Sequence, residues 1–207
     1  MIEVFLVRHG ETDINKTGRA SGAGLDAPLN DKGIQQACIL RDSIDLSGFA
    51  KVYASPMKRA FKTAEIVNNS RQELVTDARL KEIDYGDWDG VSKAKLQREH
   101  PNVFDENGYF ANNYSDYCTG ESYAHLEQRA ASFWQDLIKN SAADQKVMVA
   151  CHGTILRAIV KNVLHISDIE QVVLPDNTGV IKLAVSDKTH KVYMKYYNRV
   201  APTNFDE

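Results

Sequence analysis

The chain has 207 residues and a mass of 23.2 kDa, long enough for one domain to bury a sizeable core. Hydrophobic residues make up 43% of the sequence and charged residues 26%, as in ordinary soluble globular proteins. The formal net charge of −3 argues against nucleic acid as a principal partner. It leaves an anionic small molecule open as a ligand, because steering depends on the local field.

The first predicted element is a buried strand that ends in three reactive or flexible residues. Residues 4–7 form an apolar run, and Arg8, His9 and Gly10 follow it directly. Arginine offers a rigid fork of donors suited to phosphate, and histidine offers a nucleophile or base near neutral pH. Glycine lets the backbone turn sharply. Because α/β folds usually place their sites at the carboxyl edge of the sheet, this pattern predicts a functional site here.

The complete string Leu-Val-Arg-His-Gly-Glu-Thr at residues 6–12 resembles the signature of the histidine phosphatase (phosphoglycerate mutase-like) superfamily. The resemblance implies that His9 is the covalent phosphate acceptor and that Arg8 binds phosphate. A polar, glycine-dotted loop follows over residues 13–28. There the resemblance implies that Asn15 and Ser21 contact the phosphate or the substrate.

The next predicted elements are a helix, a strand and a second helix. Asn30 is a plausible N-cap for a helix that runs to about Ile44, and residues 51–54 form a short strand. Ser55 and Pro56 then predict a helix start, with serine as N-cap and proline in the first position, for a helix over residues 57–67. Arg59 falls in its first turn, where a cation is unfavourable unless an anion also binds. This block resembles the second block of the same family, which implies that Arg59 binds phosphate.

An irregular, acidic and aromatic stretch over residues 79–90 follows a third short strand at residues 73–76. It does not fit a calcium-binding EF-hand loop, because Tyr85 and Leu96 occupy the positions of the first and last ligands. It resembles the family segment whose glutamate is the proton donor. The resemblance implies that Glu82 is this donor and that Tyr85 contacts the substrate.

The segment over residues 91–120 resembles a lid or an insertion. A short helix is predicted from Ser92 to Glu99, and three tyrosines further on either contact a leaving group or pack on the domain: Tyr109, Tyr114 and Tyr117. A long helix then runs to about Lys139. A family-like Gly-Glu-Ser before this helix implies that Glu121 and Ser122 lie near the site.

A second strongly buried strand is predicted at residues 146–151, and it shows the same pattern as the first. His152, Gly153 and Thr154 follow it directly and open a helix that runs to about Val163. We therefore expect His152 in the site, with Gly153 and Thr154 among the substrate-binding groups. A closing hairpin is predicted over residues 178–185 and 191–197. Asn177, just before it, resembles a recurrent family position of structural role.

Strands alternate with helices over most of the chain, which predicts a single three-layer α/β/α domain with a mostly parallel sheet and an antiparallel edge. The family resemblance implies the same phosphoglycerate mutase-like fold. The predicted domain spans residues 1–207, with the lid-like insertion at about 91–120.

The collected residues Arg8, His9, Arg59, Glu82 and His152 suit phosphoryl transfer. Two arginines and an imidazolium neutralise the phosphoryl group, His9 attacks phosphorus, and Glu82 protonates the leaving oxygen. This chemistry needs neither metal nor cofactor. The short segment between Glu82 and His152 favours a compact phosphatase branch acting on a small phosphorylated metabolite. A phosphoglycerate mutase is the main alternative.

Two further alternatives stay open. Cys151 and Arg157 match the Cys-x5-Arg spacing of thiolate phosphatases, although Thr154 stands where that loop has glycine. The second alternative is a protein that binds phosphate without catalysing a reaction.

Features outside these motifs bear on location and partners. The three cysteines are unpatterned, which argues against a disulfide framework and favours a reducing cytosol. The start of the sequence lacks a basic and apolar signal region, and no apolar run approaches about 18 residues. We expect a cytoplasmic protein with no nucleic acid or membrane partner. The oligomeric state stays open, with a homodimer as one alternative.

Overall fold

The computed structural model describes residues 1–202 and Phe205, so the predicted domain bound at residue 207 lies outside the described residues. The six strands are β1 (Ile2–Arg8), β2 (Phe49–Ala54), β3 (Leu74–Thr76), β4 (Lys146–Cys151), β5 (Val180–Val185) and β6 (Val192–Arg199). The six helices are α1 (Asp13–Lys16), α2 (Asp31–Ser43), α3 (Lys58–Asn68), α4 (Lys93–Glu99), α5 (Tyr123–Lys139) and α6 (Gly153–Leu164).

All six strands belong to one sheet with the order β3-β2-β4-β1-β5-β6. The pairs β3–β2, β2–β4 and β4–β1 are parallel, whereas β1–β5 and β5–β6 are antiparallel. The prediction of a mixed α/β fold with a mostly parallel sheet and an antiparallel edge is therefore confirmed. Because parallel strands share a direction, the carboxyl ends of β2, β4 and β1 meet at one edge.

The central strand β1 is covered on both faces, which explains its continuous apolar sequence. Val4 and Leu6 belong to one hydrophobic cluster, and the alternating Phe5 and Val7 belong to the cluster on the other face. Each of these four side chains is at most 1% exposed. The strand is thus fixed at the centre of the core, and Arg8 and His9 at its end are held in place with it.

The start of α3 differs from the sequence prediction, which was wrong in making Ser55 the N-cap and Pro56 the first helical residue. The helix begins at Lys58, and Met57 is its N-cap. The backbone N–H of Lys58 donates to Asp26 Oδ1 at 2.7 Å, so a distant carboxylate caps the helix. Ser55 is free to turn inward, where its hydroxyl lies 2.8 Å from His152 Nε2.

Other predicted boundaries agree closely with the structure. Asn30 caps α2 by accepting the backbone N–H of Gly33 at 2.8 Å, as expected. The segment between α4 and α5 has little regular structure and packs through aromatic side chains, among them Phe110 and Tyr114, which are at most 2% exposed. Opening of this segment as a lid stays a prediction. None of the helices in the described residues has the length and hydropathy of a membrane span.

Candidate active site

Three neighbouring parallel strands deliver the predicted residues to one edge of the sheet. His9 follows β1, His152 follows β4, and Arg59 lies in the first turn of α3, after β2. The backbone N–H of His9 donates to the carbonyl oxygen of Cys151 at 3.0 Å, which joins the ends of β1 and β4. The centroids of the His9 and His152 rings are 5.2 Å apart. The fold therefore brings these three residues together from distant parts of the sequence.

The imidazole of His9 is buried, and its two nitrogens have different partners. Nδ1 lies 2.7 Å from the carbonyl oxygen of Gly10; because a carbonyl only accepts, the neutral ring carries its proton on Nδ1. Nε2 accepts a hydrogen bond from Arg59 Nε at 3.2 Å. Burial, with Arg8 and Arg59 nearby, holds the pKa of His9 well below its usual 6.5. The ring therefore presents an unprotonated Nε2, the form that a nucleophile needs.

Arg59 is 2% exposed and is held by backbone carbonyls as well as by His9. Its Nη1 donates to Leu25 O at 2.8 Å, and its Nη2 donates to Gly22 O at 3.3 Å. These bonds use three of the five N–H donors of the guanidinium, so two remain for a ligand. Burial lowers the pKa of Arg59, but arginine stays charged at physiological pH. The site thus contains a fixed cation in contact with Nε2 of His9.

Two buried nitrogens next to His9 have no hydrogen-bond partner among the described residues: Arg8 Nε and His152 Nδ1. An unsatisfied buried polar group costs about 1–3 kcal/mol, so two of them in one site indicate a place for a polar ligand. Arg8 is anchored by its Nη1, which donates to Pro175 O at 2.6 Å. An oxyanion accepting from both nitrogens would satisfy them.

Burial and the neighbouring Arg59, His9 and Arg8 hold the pKa of His152 well below its usual range. The sequence argument counted His152 as an imidazolium. Without a ligand, the lowered pKa values favour neutral rings in both His9 and His152; the imidazolium of the sequence argument concerns the phosphate-bound site and stays a prediction. His152 keeps a defined orientation through the Ser55 hydroxyl at 2.8 Å from Nε2.

Glu82 reaches the site from the irregular segment between β3 and α4, and its carboxylate lies at the N-terminus of α6. Oε2 accepts from Thr154 N at 3.1 Å, and Oε1 accepts from Ile155 N at 3.2 Å and from Ile83 N at 3.0 Å. The carboxylate thus accepts three backbone amide hydrogen bonds, two of them from the first turn of α6. The group is 7% exposed, so its geometry is well defined.

A cavity of about 300 Å³ adjoins these groups, and Arg8 and Glu82 both contribute to its wall. The residues that the sequence predicted as substrate-binding all line it: Asn15, Ser21, Tyr85, Gly153 and Thr154. His9, Arg59 and His152 are not part of this lining and are each at most 3% exposed. The structure thus places the whole predicted set in one region of the molecule.

The cavity wall also contains three further cations, Arg19, Lys93 and Arg157, of which the sequence analysis considered only Arg157, as part of the thiolate alternative. Lys93 is half-buried, and burial together with Arg8 and Arg157 lowers the pKa of its ammonium group. This ammonium makes no hydrogen bond or ion pair with the described residues. Arg157 is 1% exposed, and its guanidinium lies 4.8 Å from the centroid of the Tyr109 ring. No local pattern in the sequence marks Arg19 or Lys93, since their position beside Arg157 depends on the tertiary fold.

Several other candidate residues lie outside the cavity wall or lack the geometry that their predicted role requires. Cys151 is fully buried, which raises the pKa of its thiol, and Arg157 donates to the carbonyls of Val172 and Ile169. This pair therefore lacks the geometry of a thiolate site. Glu121 and Ser122 do not line the cavity; Ser122 caps α5 and Glu121 pairs with Arg129.

The three tyrosines of the 91–120 segment have different positions. Tyr109 lines the cavity, Tyr114 is buried in the core, and Tyr117 is 50% exposed. Asn177 donates to His9 O at 3.0 Å and also lines the cavity. Within residues 1–202 and Phe205, no group of three or more His, Cys, Asp or Glu side chains is arranged to hold a metal ion.

Comparison with known families agrees with this geometry. The family model described as histidine phosphatase superfamily (branch 1) matches residues 4–198. Phosphoserine phosphatase 1 of Hydrogenobacter thermophilus is 31% identical over 160 residues, covering 77% of this chain and 74% of the relative. A 2,3-bisphosphoglycerate-dependent phosphoglycerate mutase of Bacteroides fragilis is also 31% identical, over 211 residues that cover 87% of this chain and 85% of the relative.

Solved structures give the same picture of the fold. YhfR of Bacillus stearothermophilus superposes with a TM-score of 0.85 at 27% sequence identity, covering 97% of this chain and 98% of that one. A phosphoserine phosphatase of Entamoeba histolytica, solved in complex with 3-phosphoglyceric acid, has a TM-score of 0.80 at 24% identity and covers 97% and 98% of the two chains.

Proposed function

Because the chain belongs to the histidine phosphatase superfamily (branch 1), we propose that it hydrolyses the phosphomonoester of a small metabolite through a phosphohistidine at His9. The observation that carries this proposal is the unprotonated Nε2 of His9, held against Arg59 and beside the unpaired nitrogens of Arg8 and His152. A neutral imidazole among cationic and N–H donors suits attack on a phosphoryl group.

In the first step, His9 Nε2 attacks phosphorus, the P–N bond forms, and the bond to the ester oxygen breaks. Arg8, Arg59 and His152 donate to the three non-bridging oxygens and neutralise the charge that develops there. Glu82 gives a proton to the departing oxygen. The second ionisation of a phosphate ester lies near pH 6, so substrate bound as the monoanion supplies the proton that the carboxylate needs.

In the second step, Glu82 takes a proton from a water molecule, which attacks the phosphohistidine. The P–N bond breaks, inorganic phosphate leaves, and Nε2 of His9 is regenerated. Both steps use only groups of this chain, with arginines in place of a metal as the source of positive charge. We therefore propose that activity persists in the presence of a chelator.

Transfer of the phosphoryl group to a second hydroxyl instead of water would make the protein a mutase. The 31% identity to the Bacteroides fragilis mutase keeps this as the second candidate. Hydrolysis is favoured because the segment between Glu82 and His152 is short, as in the compact phosphatases of the family. The difference between the two is whether water reaches the phosphohistidine.

The cations in the cavity wall suggest which metabolites fit. Beyond the phosphoryl site, Arg19, Lys93 and Arg157 add positive charge, and Glu82 is the one carboxylate among the described residues of the cavity wall, so we propose a substrate with a second anionic group. Phosphoserine and phosphoglycerate, named in two of the relatives, each have a carboxylate near the phosphate. A carboxylate-bearing phosphomonoester is therefore the preferred substrate class.

A metabolite panel tests the function. Phosphate release is measured from O-phosphoserine and 3-phosphoglycerate, and from phosphoethanolamine and glycerol 3-phosphate as analogues without a carboxylate. Each is assayed with and without 2,3-bisphosphoglycerate. We expect hydrolysis that does not need the bisphosphate and that favours the carboxylates. Isomerised phosphoglycerate without free phosphate would instead identify a mutase.

Lys93 provides a matched test of the substrate class. Lys93→Met should lower kcat/KM for the carboxylate substrates by about 10- to 100-fold, since a hydrogen bond to a charged group contributes about 1.5–3 kcal/mol. The analogues without a carboxylate should be nearly unaffected. Lys95→Met is the control, because Lys95 is on the same helix but is 55% exposed and faces Glu99. An equal loss on both substrate classes would remove Lys93 from substrate recognition.

A further inference from the structure

One arginine outside the cavity donates three hydrogen bonds to the segment that carries Glu82 and two to Glu121. Arg129, on α5, donates from Nη1 to Arg79 O at 2.7 Å and to Lys81 O at 2.6 Å. Its Nη2 donates to Glu82 O at 3.1 Å. The remaining two donors go to Glu121, from Nε at 2.7 Å and from Nη2 at 2.8 Å. All five N–H groups of the guanidinium thus have an acceptor.

Glu121 completes the arrangement by holding Arg129 and the residues after Glu82. Its backbone N–H donates to Asp84 O at 2.6 Å, and its Oε1 also contacts His125 Nδ1 at 2.7 Å. The side chains of Glu121 and Arg129 are only 10% and 15% exposed, so solvent screens this pair weakly. Burial would raise the pKa of Glu121, but the hydrogen bonds from Arg129 and His125 outweigh it and lower this pKa.

The segment that this pair holds has little other regular structure. Residues 81–85 lie in neither a helix nor a strand, so the position of the Glu82 backbone depends on such tertiary bonds. From that backbone, the carboxylate reaches the amides of Thr154 and Ile155 on α6. Two contacts therefore set the Glu82 side chain: α6 holds its carboxylate, and α5 holds its backbone through Arg129.

We propose that Arg129 and Glu121 are positioning residues that set the proton-donating geometry of Glu82. They do not touch the substrate, and their effect reaches the reaction only through the place of the carboxylate. A misplacement of about 1 Å in a reacting group costs about 100-fold in rate, so a small shift of this segment is enough to impair proton transfer. The inference rests on the proposed role of Glu82 as the proton donor.

The test compares substrates whose leaving groups differ in their need for a proton. Arg129→Lys keeps the charge but cannot reach five acceptors. We expect kcat on alkyl phosphates to fall by about 100-fold. Hydrolysis of p-nitrophenyl phosphate, whose leaving group needs little protonation, should fall far less, and vanadate affinity should stay within the error of the wild type.

The ion pair between Lys161 and Glu127 supplies the matched control. It joins α5 to α6, its side chains are 17% and 21% exposed, and it does not contact the segment of Glu82. Glu127→Gln should therefore lower the thermal midpoint without a dependence on leaving group. If Arg129→Lys only lowers the stability of the fold, its rates on alkyl phosphates and on p-nitrophenyl phosphate should fall equally, as in the control. Such equal losses would overturn the proposal.

A double variant separates failure of this inference from failure of the proposed function. If Arg129 acts through Glu82, then Arg129→Lys should cause no further loss on alkyl phosphates in a Glu82→Gln background. Additive losses would show that Arg129 acts elsewhere and would overturn the inference alone. If Glu82→Gln itself lowers rates equally on alkyl and aryl phosphates, Glu82 is not the proton donor and both proposals fail. Should Arg129→Lys not fold, Glu121→Gln is measured in its place, with the same expected pattern.

Discussion

At the scale of single residues, the account depends on buried groups that stay in the protonation state the reaction needs. His9 has its proton on Nδ1 and an unprotonated Nε2 because Gly10 accepts from the first nitrogen and Arg59 donates to the second. Both site histidines have a pKa depressed by burial and by nearby arginines. This depression has a consequence for stability as well as for catalysis.

The first prediction concerns the pH dependence of folding. A histidine whose pKa is lower in the folded state stabilises the fold above its unfolded pKa of about 6.5, and this contribution is lost as pH falls. Below that pH, each of the two imidazoles should reduce the free energy of unfolding by about 1.4 kcal/mol per pH unit until it titrates in the folded state. Thermal unfolding between pH 7.5 and pH 5 measures this slope.

His152→Asn should reduce the dependence of the unfolding free energy on pH by the contribution of one imidazole. His190→Asn is the control, because His190 is exposed and has a positive φ of 54°, a conformation that asparagine tolerates. An unchanged slope in His152→Asn would mean that His152 is not held neutral by the fold. Inorganic phosphate should also stabilise the wild type, since it binds only the folded site.

A second residue-scale prediction concerns Ser55, whose role the sequence did not reveal. Its hydroxyl is 2.8 Å from His152 Nε2, and donation to that nitrogen leaves the proton on Nδ1, the unpaired atom that binds the phosphoryl group in the proposed mechanism. Ser55→Ala should weaken binding of inorganic phosphate by about tenfold, in line with one lost buried hydrogen bond of about 1 kcal/mol and a less ordered ring. Ser47→Ala, in an exposed bond to Asp45, is the control. Equal phosphate affinity in both variants would contradict this role.

At the scale of elements, the loop between α1 and α2 is fixed against Arg59, for which we propose a role in phosphate binding. Asp89 accepts from the backbone N–H groups of Gly22 at 2.5 Å and Gly24 at 2.8 Å, while Gly22 O accepts from Arg59. A side chain at Gly22 would place its Cβ 2.4 Å from Ile83 O, so only glycine allows this approach. The loop, the acidic segment and α3 thus form one connected support.

Asp89→Asn should loosen this support, because an amide offers only one acceptor oxygen for the two backbone donors. We expect vanadate to bind about 10-fold more weakly, since one hydrogen bond to a charged group contributes about 1.5–3 kcal/mol. Asp87→Asn is the matched control: Asp87 is in the same segment but accepts from Thr119, away from Arg59. If the two variants bind vanadate equally well, the loop does not position Arg59.

The same elements show how far sequence reasoning reaches. His9, His152 and Arg59 each follow a short apolar strand, and such local patterns can be read without a structure. The start of α3 was predicted wrongly because its cap, Asp26, comes from a loop more than 30 residues away. Lys93 and Arg129 gave no local signal, since their importance arises when α4 and α5 dock beside Glu82. Sequence patterns therefore predict which residues follow a strand, whereas tertiary packing determines which other residues hold them in position.

At the scale of the whole molecule, the sheet order makes the site possible. The strands β2, β4 and β1 are adjacent and parallel, so Arg59, His152 and His9 meet although they lie 50 or more residues apart in sequence. The helix α6 then presents its N-terminus to Glu82, and the segment before α5 closes one side of the cavity. The mixed α/β architecture was predictable from the alternation of elements; the distribution of charge around the cavity was not.

The central claim is that His9 accepts the phosphoryl group. The most direct measurement is a rapid quench of the enzyme with a phosphomonoester labelled on phosphorus, followed by identification of the labelled residue. We predict label on His9 as a phosphoramidate, which is labile in acid and stable in base. His9→Ala should lose both the label and turnover, whereas Cys151→Ser, at a fully buried position, should keep most of its activity. Label on Cys151, or turnover that persists in His9→Ala, would contradict the account.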